Sequence, residues 1–403
     1  MTSRSARPRR GAPFRKVRPS YLILLTALPF VVYLFVANER YQAALRFILP
    51  GLGTTAFVTV VAYVVASALG LVLAGLQMLR LGQHTLRNFL VGSLVLLAGA
   101  AFLFTRPQLQ YSLVGEGGGR VAIIEGTPAS ASEKVRRGDY EGSLGVLSVR
   151  AVTDSAAALE RLEAGTVSAA FVPSADVPPG VPVAYETSFL PPAFQRPAML
   201  LSVLGLLGLS LTFAASQSGL HPLRLIAELY VDVLRGIPML VVILYVGFPL
   251  QGAIRDATGG FIDMSRLTRG VVGISLGYSA YMAEIFRAGI EAIGKGQTEA
   301  ARSLGLSTWQ TARFVVLPQA LRIVVPPLTN ELVILLKDTS LLFVAGMMID
   351  QRELATMANA MTVTGPTAGT STSFTQAAML YLVITLPLTQ LVSWMERRQQ
   401  RSR

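Results

Sequence analysis

The chain lacks cysteine and carries few charges. No cysteine occurs among its 403 residues, which excludes disulfides, thiolate catalysis and cysteine-ligated zinc or iron–sulfur sites. Only 14% of the residues are charged, against about 25% in an average soluble chain, while 52% are hydrophobic. The two histidines, His84 and His221, are far apart in the sequence and suggest neither a metal site nor a catalytic triad. This composition excludes an ordinary soluble protein.

A phosphate-binding loop is also missing from the sequence. No Gly-x4-Gly-Lys-Ser/Thr segment occurs, and the short sequence at 294–296, Gly-Lys-Gly, has neither the spacing nor the preceding strand of such a loop. The sequence contains no nucleophile elbow and no cluster with metal-ligand spacing. We therefore predict that the chain is not an enzyme and holds no catalytic residue, cofactor or metal of its own.

The hydrophobic residues are concentrated in runs long enough to cross a membrane. About 20 apolar residues in a helix cover the ~30 Å of a bilayer's hydrocarbon core. The sequence therefore predicts an all-α polytopic membrane protein with about eight transmembrane helices. Their approximate ranges are 20–37, 51–79, 88–105, 197–216, 237–254, 268–289, 320–347 and 376–394.

The net charge of +12 indicates which side of the membrane each loop occupies. The arm 1–19 is strongly basic, which places it in the cytoplasm by the positive-inside rule. A cleaved signal peptide is the alternative interpretation of residues 21–36. Alternating spans then put the basic tail 395–403 in the cytoplasm as well. We predict a multi-pass protein of the bacterial inner membrane with both termini cytoplasmic, in contact with lipid and without a nucleic-acid partner.

The segment 106–196 interrupts the membrane pattern. Its net charge is −2, so the rest of the chain has +14. Residues 120–124 read as a short buried strand, Asp154 as the N-cap of a helix that ends before Gly165, and residues 167–172 as a second strand. The sequence therefore predicts a small α/β extracytoplasmic domain between two inserted spans.

Part of this predicted domain resembles one lobe of the periplasmic solute-binding proteins that serve amino-acid importers. The resemblance rests on residues 121–127 and 156–172. It implies that Thr127, in a Gly-Thr turn, is a weak candidate contact for a ligand carboxylate. Pro173 stands where that family has an acid for the ligand's ammonium group, and a second lobe is missing. A structural or docking role is therefore favoured over independent ligand binding.

The most specific motif lies between the sixth and seventh predicted spans, in the loop 291–318. Residues 299–304 favour a helix, Gly305 can end it in the left-handed conformation, and Ser307 with Gln310 forms a capping box that opens a second helix. Two short helices at an angle make a rigid surface for a cytoplasmic partner; a loop without a partner is the alternative. The motif consists of Glu299, Ala300, Ala301, Gly305, Leu317 and Pro318.

This motif closely resembles the Glu-Ala-Ala coupling loop of ABC importer permeases, which docks on the ATPase subunit. Val315 stands where that family has isoleucine. The likeness to the polar amino-acid (His/Glu/Gln/Arg/opine) branch continues over about 200–398. Matching core residues include Arg235, Pro238, Glu284 and Arg287. Since Glu284 and Arg287 share a helical face, they can pair with each other.

The resemblance implies an architecture and a function. A permease core of five helices would consist of 51–79 and the last four spans within 217–394, with an N-terminal helix and an inserted helix–lobe–helix segment added. The chain would be the membrane subunit of an ATP-driven amino-acid importer, with alternating access around a helix broken at Pro326-Pro327. Its expected partners are a separate ATP-binding subunit that holds the ATP and Mg²⁺, a second permease subunit, a solute-binding protein and the amino acid itself.

Two other functions remain open from the sequence. A ligand-gated channel or membrane sensor could use the extracytoplasmic lobe to report to the membrane helices, although no selectivity-filter sequence is visible. A degenerate permease kept as an assembly scaffold is the third possibility.

Polar residues cluster in the outer half of the seventh span. Ionisable groups at that depth are costly, so they pair, face a cavity or mark a transport path. Glu331 and Asp338 could accept a substrate ammonium group, and Thr339, Ser340 or the end of a broken helix could bind its carboxylate. The alternative is that Lys337 pairs with Asp338 or Glu331 and only fixes the helix geometry. The candidate translocation residues are Asn330, Glu331, Lys337, Asp338, Thr339 and Ser340.

Overall fold

The structure, a computed structural model, describes residues 38–115, 119–140, 145–346 and 353–401, together with Thr26, Pro29 and Val32. The chain divides into two compact units. We call residues 80–222 the inserted unit and the residues on either side of them the core unit. The predicted span 20–37 lies outside the described residues, apart from the three single positions.

The core unit begins with two helices, α1 (Glu39–Ile48) and α2 (Gly51–Gln77). Helix α1 was not predicted; it starts where the Asn38 side chain accepts a hydrogen bond from the Arg40 backbone N–H, at 2.9 Å. Helix α2 confirms the predicted span 51–79.

The inserted unit pairs two long helices with a small sheet. Helices α3 (Thr85–Phe104) and α6 (Pro192–Ser218) confirm the predicted spans 88–105 and 197–216, and they pack along each other. Glycine permits this close packing, since a Cβ on Gly205 would lie 2.6 Å from the Leu97 side chain.

The sheet of the inserted unit has five strands in the order β3-β2-β4-β1-β5. Strand β2 is parallel to β3 and β4, and β1 is antiparallel to β4 and β5. Helices α4 and α5 pack on the sheet with two separate clusters of apolar residues. The elements are β1 (Leu109–Val114), β2 (Arg120–Ile124), α4 (Ala129–Arg137), β3 (Ser148–Val152), α5 (Ser155–Glu163), β4 (Ala169–Pro173) and β5 (Val183–Phe189).

In the inserted unit, the predicted helix cap, helix end and first strand are confirmed, whereas the elements that depend on long-range strand pairing were not predicted. Strand β2 has the predicted bounds, Asp154 Oδ1 accepts the Ala157 N–H at 2.8 Å, and Gly165 adopts φ +67 just after α5. The second predicted strand begins two residues late, at Ala169. Strands β1, β3 and β5 and helix α4 were missed, because their positions depend on partners elsewhere in the sheet.

The core unit continues with a set of helices that carries both candidate sites. Two π-helical turns, Val246–Leu250 and Ala312–Val316, join neighbouring helices without a loop. The helices are α7 (Pro222–Gly236), α8 (Met239–Tyr245), α9 (Gln251–Ala257), α10 (Arg266–Glu291), α11 (Lys295–Ser303), α12 (Thr308–Thr311), α13 (Leu317–Asp338), α14 (Leu341–Val344), α15 (Leu354–Val363) and α16 (Thr372–Arg401).

Six helical segments among the described residues are long and apolar enough to cross a membrane: Glu39–Gln77, Thr85–Phe104, Ala193–Ser218, Met239–Ala257, Thr308–Val344 and Thr372–Arg398. Helix α10 covers the predicted span 268–289 and has 26 residues, but it is not one of these six. Its middle is rich in small and polar residues that are buried inside the unit, including Gly273, Ser275 and Gly277. A helix covered by other helices does not need the apolar surface that lipid demands.

Helices α2, α10 and α13 form the centre of the core unit. A Cβ on Gly70 of α2 would lie 2.5 Å from the Met282 Cβ on α10, so only glycine fits this approach. Buried apolar residues from the three helices, among them Ala66, Ile274 and Leu335, fill the contact. The charged and polar residues discussed below therefore extend from a closely packed scaffold.

The predicted helix break at Pro326-Pro327 is wrong. Helix α13 runs without interruption from Leu317 to Asp338 and contains both prolines. Each proline removes one backbone donor, but neighbouring helices can hold such a helix together. The interruption comes later, where Thr339 Oγ1 donates to the Leu336 carbonyl at 2.8 Å and α13 ends.

Candidate docking loop and membrane polar network

The motif in the loop 291–318 folds as two short helices separated by a glycine turn. Helix α11 ends at Ser303, and Gly305 adopts φ +84, a conformation in which a side chain would be strained. The Leu306 N–H donates to the Ala301 carbonyl at 3.2 Å, which satisfies a carbonyl left open at the helix end. The predicted helix stop at Gly305 is confirmed.

The second helix begins at a complete capping box. The Gln310 N–H donates to Ser307 Oγ at 3.2 Å, and the Ser307 N–H donates to Gln310 Oε1 at 2.8 Å. Arg302 Nη2 also donates to Thr308 Oγ1 at 3.0 Å and thereby links the two helices. The predicted capping box is confirmed, and the backbone groups of this turn are satisfied within the loop itself.

The loop leaves an apolar and acidic surface open. Glu299 and Ala300 are exposed, whereas Ala301 is buried with 5% of its surface accessible. Leu304 and Trp309 are 84% and 70% exposed, which is unusual for large apolar side chains. The sequence analysis missed these two residues, although large apolar residues in a polar cytoplasmic loop were a usable signal.

The end of the motif, Leu317-Pro318, forms the start of α13. Pro318 has no N–H, so it cannot continue the backbone pairing across the π-helical turn before it. The Gln319 side chain instead donates to the Val315 carbonyl at 2.9 Å. These residues therefore fix how the loop enters α13.

In the membrane part of the core unit, Asp338 accepts a hydrogen bond from Tyr278 on α10, with 2.8 Å between Tyr278 Oη and Asp338 Oδ2. Glu331 is half-buried and lies two turns earlier on the same face of α13. Neither acid forms an ion pair with Lys337, which is exposed. The alternative in which Lys337 pairs with Asp338 or Glu331 is therefore not what the structure shows.

The hydroxyl groups predicted to bind a carboxylate have backbone partners. Thr339 is buried and donates to Leu336 O, while Ser340 Oγ donates to Lys337 O at 2.7 Å. Both hydroxyls thus cap the end of α13. Asn330 is exposed on the same helix.

A buried acid that the sequence analysis missed lies beside Thr339. Glu353 is fully buried and accepts hydrogen bonds from Tyr381 Oη at 2.8 Å, the Thr356 N–H at 3.0 Å and Thr55 Oγ1 at 3.4 Å. Thr339 Oγ1 lies 3.4 Å from Tyr381 Oη and extends the network to α13. A lone acid directly before an apolar helix was the available signal, since Glu353 is the N-cap of α15.

Charged residues at the end of α7 and in the last turns of α10 form a chain of ion pairs, which we call the ion ladder. Glu284 pairs with Arg287, as predicted, and Arg287 Nη1 contacts Glu291 Oε2 at 2.9 Å. Arg235 on α7 joins it, with 3.7 Å between its Nη1 and Glu284 Oε2. Pro238 precedes α8 as its N-cap residue.

In the inserted unit, Thr127 lies between β2 and α4. Its Oγ1 is buried and has no hydrogen-bond partner among the described residues. Pro173 ends β4. On α4, hydrogen bonds from Arg136 and Arg137 to Glu133 lower the pKa of that carboxyl to about 2. This ion-pair cluster is exposed and lies within one helix.

The described residues contain six helical segments long and apolar enough to span a membrane, together with the loop built around the Gly305 turn, as in a polytopic membrane protein. Residues 201–401 match the family described as "Binding-protein-dependent transport system inner membrane component". The chain belongs to this family.

Individual relatives of the chain are permease proteins as well. Over 198 residues, covering 49% of this chain and 85% of the relative, the chain is 33% identical to the glutamate/aspartate import permease protein GltK of Escherichia coli. It is 35% identical over 209 residues to the glutamine transport system permease protein GlnP of the same species, covering 50% and 88% of the two chains.

A third relative matches more closely over a shorter segment. It is the probable amino-acid ABC transporter permease protein YckA of Bacillus subtilis, 48% identical over 129 residues, or 32% of this chain and 53% of the relative. The chain thus spans about half the length of that relative. One solved chain, from the crystal structure of an amino acid ABC transporter with histidines, is 33% identical and covers 48% and 84% of the two chains, with a TM-score of 0.37.

Proposed function

We propose that this chain is the permease subunit of an ATP-driven amino-acid importer and that its loop 291–318 docks on a separate ATPase subunit. The observation that carries the proposal is the loop's construction. Its backbone is satisfied internally by the Gly305 turn and the Ser307 capping box, so Glu299, Leu304 and Trp309 are left for a partner. Ala300 lies on the same open surface, and the motif residues Ala301, Leu317 and Pro318 hold that surface in place.

The transported substrate in this proposal is a polar amino acid. The relatives GltK and GlnP are named for glutamate/aspartate import and glutamine transport. In this chain, Asp338 and Glu331 on one face of α13 offer negative charge for an ammonium group, and Tyr278 orients Asp338. Thr339 and Ser340 donate to carbonyls of their own helix, so in this proposal the substrate carboxylate takes its donors from other residues.

Further subunits complete the proposed transporter. A second permease subunit presents a second docking loop, and a solute-binding protein delivers the amino acid, with the inserted sheet domain as its docking platform. Both termini lie in the cytoplasm in this arrangement, as the positive-inside rule favours. Alternating access involves the interruption after Asp338 rather than Pro326, since α13 is continuous through both prolines.

Charge reversal in the loop tests this function. The unmodified chain, Glu299→Lys and Gly305→Asp are purified from native membranes in mild detergent, and the co-purifying ATPase is measured by mass spectrometry and by ATP hydrolysis. We expect both variants to lose at least about tenfold in association. Glu299→Lys reverses a charge at the interface, and Gly305→Asp adds a charge and a side chain at φ +84, where a side chain strains the turn. Glu396→Lys, the same reversal at an exposed position of α16, is the control and should retain the ATPase.

Two results would contradict the proposal. One is an unchanged amount of ATPase with Glu299→Lys and Gly305→Asp while the spans insert normally. The other is ATP-independent ion conductance of the unmodified chain in liposomes, which would favour a channel.

A further inference from the structure

The ion ladder on α7 and α10 connects two parts of the core unit that are separated in sequence. Arg235 contacts Glu284, which contacts Arg287, which contacts Glu291. The Arg235 guanidinium also lies over the Tyr281 ring of α10, 5.9 Å from its centroid. Of these contacts, only those of Arg235 cross from one helix to the other.

The two ends of the ladder lie at structural transitions. Arg235 is the next-to-last residue of α7, and the chain bends at Gly236–Pro238 before α8 begins. Glu291 is the last residue of α10, and only three residues separate it from the docking helix α11. The ladder therefore runs from the α7–α8 bend to the entrance of the docking loop.

Farther from the loop, α7 is fixed to α10 by uncharged contacts. Tyr230 Oη donates to the Leu276 carbonyl at 2.9 Å, and Val231 packs on Ala280 and Ala283. These contacts hold the helix pair together whether or not the charged contact is present. The Arg235 and Glu284 side chains are 43% and 32% exposed, and pairs of this exposure contribute little to stability. The charged contact can therefore be removed without unfolding the pair.

We propose that Arg235 and Glu284 are positioning residues that transmit displacement of the docking loop to the α7–α8 bend. When a partner moves α11, the end of α10 moves with it, and the Arg235–Glu284 contact carries this movement to the start of α8. The inference rests on the proposed function, since it requires an ATPase that moves the loop.

The chain offers a matched control for this contact. Arg224 and Glu228 form a pair at 2.7 Å on the same helix α7, with 35% and 33% exposure. That pair has the same chemistry and similar exposure but joins two residues of one helix. Removing it changes the charge of α7 without touching the connection to α10.

Spin labels can measure the movement, since the chain contains no cysteine and an introduced pair is its only labelled pair. The labels are attached to the purified chain before the complex with the ATPase is reassembled. Labels at Val241→Cys on α8 and Val64→Cys on α2 report the distance between the α7–α8 bend and the centre of the core unit. Val241 is 50% exposed and Val64 is 59% exposed. Distances are recorded by pulsed dipolar spectroscopy in the complex with its co-purified ATPase, without nucleotide and with ATP and vanadate.

We expect ATP and vanadate to shift the distance between the two labels in the complex without further substitution and in the Arg224→Gln complex. In Arg235→Gln or Glu284→Gln the shift should fall to less than about half, with unchanged ATPase association. Arg235→Lys, which keeps the positive charge opposite Glu284, should retain the shift, which a purely stabilising role would not predict.

The inference is overturned by a full shift in Arg235→Gln, by an equal loss in Arg224→Gln or in Arg235→Lys, or by the absence of any shift in the labelled complex that carries none of these substitutions. If no ATPase co-purifies with the unmodified chain, the proposed function is wrong. That result is obtained before nucleotide is added and is therefore distinct from a failure of the inference about Arg235 and Glu284.

Discussion

The candidate docking loop, residues 291–318, and the hydrogen-bond network of Glu353 with Thr55, Thr356 and Tyr381 satisfy their polar groups in opposite ways. In the loop, Ser307 and Gln310 bond to each other across three residues of sequence. In the network, Glu353 bonds to Thr55 across 298 residues and to Tyr381 across 28. The loop is exposed and built by neighbours in sequence, whereas the network is buried and built by helices that meet only in the folded chain.

This difference teaches which changes remain local. A defect in the loop disturbs one turn and the surface it presents, because the hydrogen bonds of that turn join residues close in sequence. A defect at Glu353 leaves donors on α2, α15 and α16 without a partner in a place that water does not reach. The first kind of change should affect association with a partner, and the second should affect the stability of the core unit.

The largest expected effect is at Glu353. We expect Glu353→Ala to destabilise the core unit strongly, since each buried donor left without a partner costs about 1–3 kcal/mol and Tyr381, Thr356 and Thr55 all donate to this carboxyl. The measurement is thermal unfolding of the purified full chain in detergent.

Glu353→Gln is the matched comparison, because the amide keeps the shape and one acceptor oxygen. Its midpoint should fall between those of the unmodified chain and Glu353→Ala. Identical midpoints for all three would show that the network is not needed for stability, and the contrast with the loop would disappear.

A smaller and local effect is expected at Gly305. Gly305→Ala places a side chain at φ +84, which costs about 1–2 kcal/mol in the left-handed conformation, although no atom lies within 4 Å of the new Cβ. Amides of residues 304–307 should exchange about 5–30-fold faster, while the unfolding midpoint of the core unit stays unchanged.

Gly296→Ala is the control of opposite sign. Gly296 lies inside α11 with nothing within 4 Å of an added Cβ, so alanine should leave exchange in α11 unchanged or slower. Faster exchange in both variants would mean that the loop responds to added bulk and not to the conformation of Gly305.

The same contrast explains what the sequence could predict. The Gly305 stop, the Ser307 capping box and the Asp154 cap depend on residues within a few positions, and all three are confirmed. The continuity of α13 through Pro326 depends on packing by other helices, and the prediction there was wrong. Strand β1 pairs with β4 and β5, which lie more than 50 residues later, and it was missed.

The candidate site divides in the same manner. The pair of Glu284 with Arg287 follows from helical spacing and was predicted, whereas the contact of Arg235 with Glu284 joins two helices and was not. The partner of Asp338 is Tyr278, 60 residues earlier, and not the adjacent Lys337. Adjacent charges of one helix point to different sides, so sequence proximity alone selected the wrong partner.

The smallest expected effect concerns a local ion pair of the inserted unit, where the comparison can be sharpened by pH. Glu133 has its pKa lowered from 4.5 to about 2 by hydrogen bonds from Arg136 and Arg137. A lowered pKa in the folded state means that the pair stabilises the folded state above pH ~4.5, and that this contribution is lost as the pH falls towards about 2. The Glu133 side chain is exposed, so the contribution is small.

We therefore expect Glu133→Gln to lower the unfolding midpoint of the inserted unit slightly at pH 6, and the difference from the unmodified chain to shrink between pH 4.5 and pH 2. The measurement is thermal unfolding of the full chain followed by near-ultraviolet signals of the sheet's tyrosines. Glu160→Gln on α5, an exposed acid without an ion pair among the described residues, should show no such pH dependence. If the difference for Glu133→Gln stays constant down to pH 2, the Arg136 and Arg137 contacts do not hold that carboxyl in its charged form. A midpoint change as large as that of Glu353→Ala would show that an ion pair within one helix can stabilise the fold as much as a long-range network.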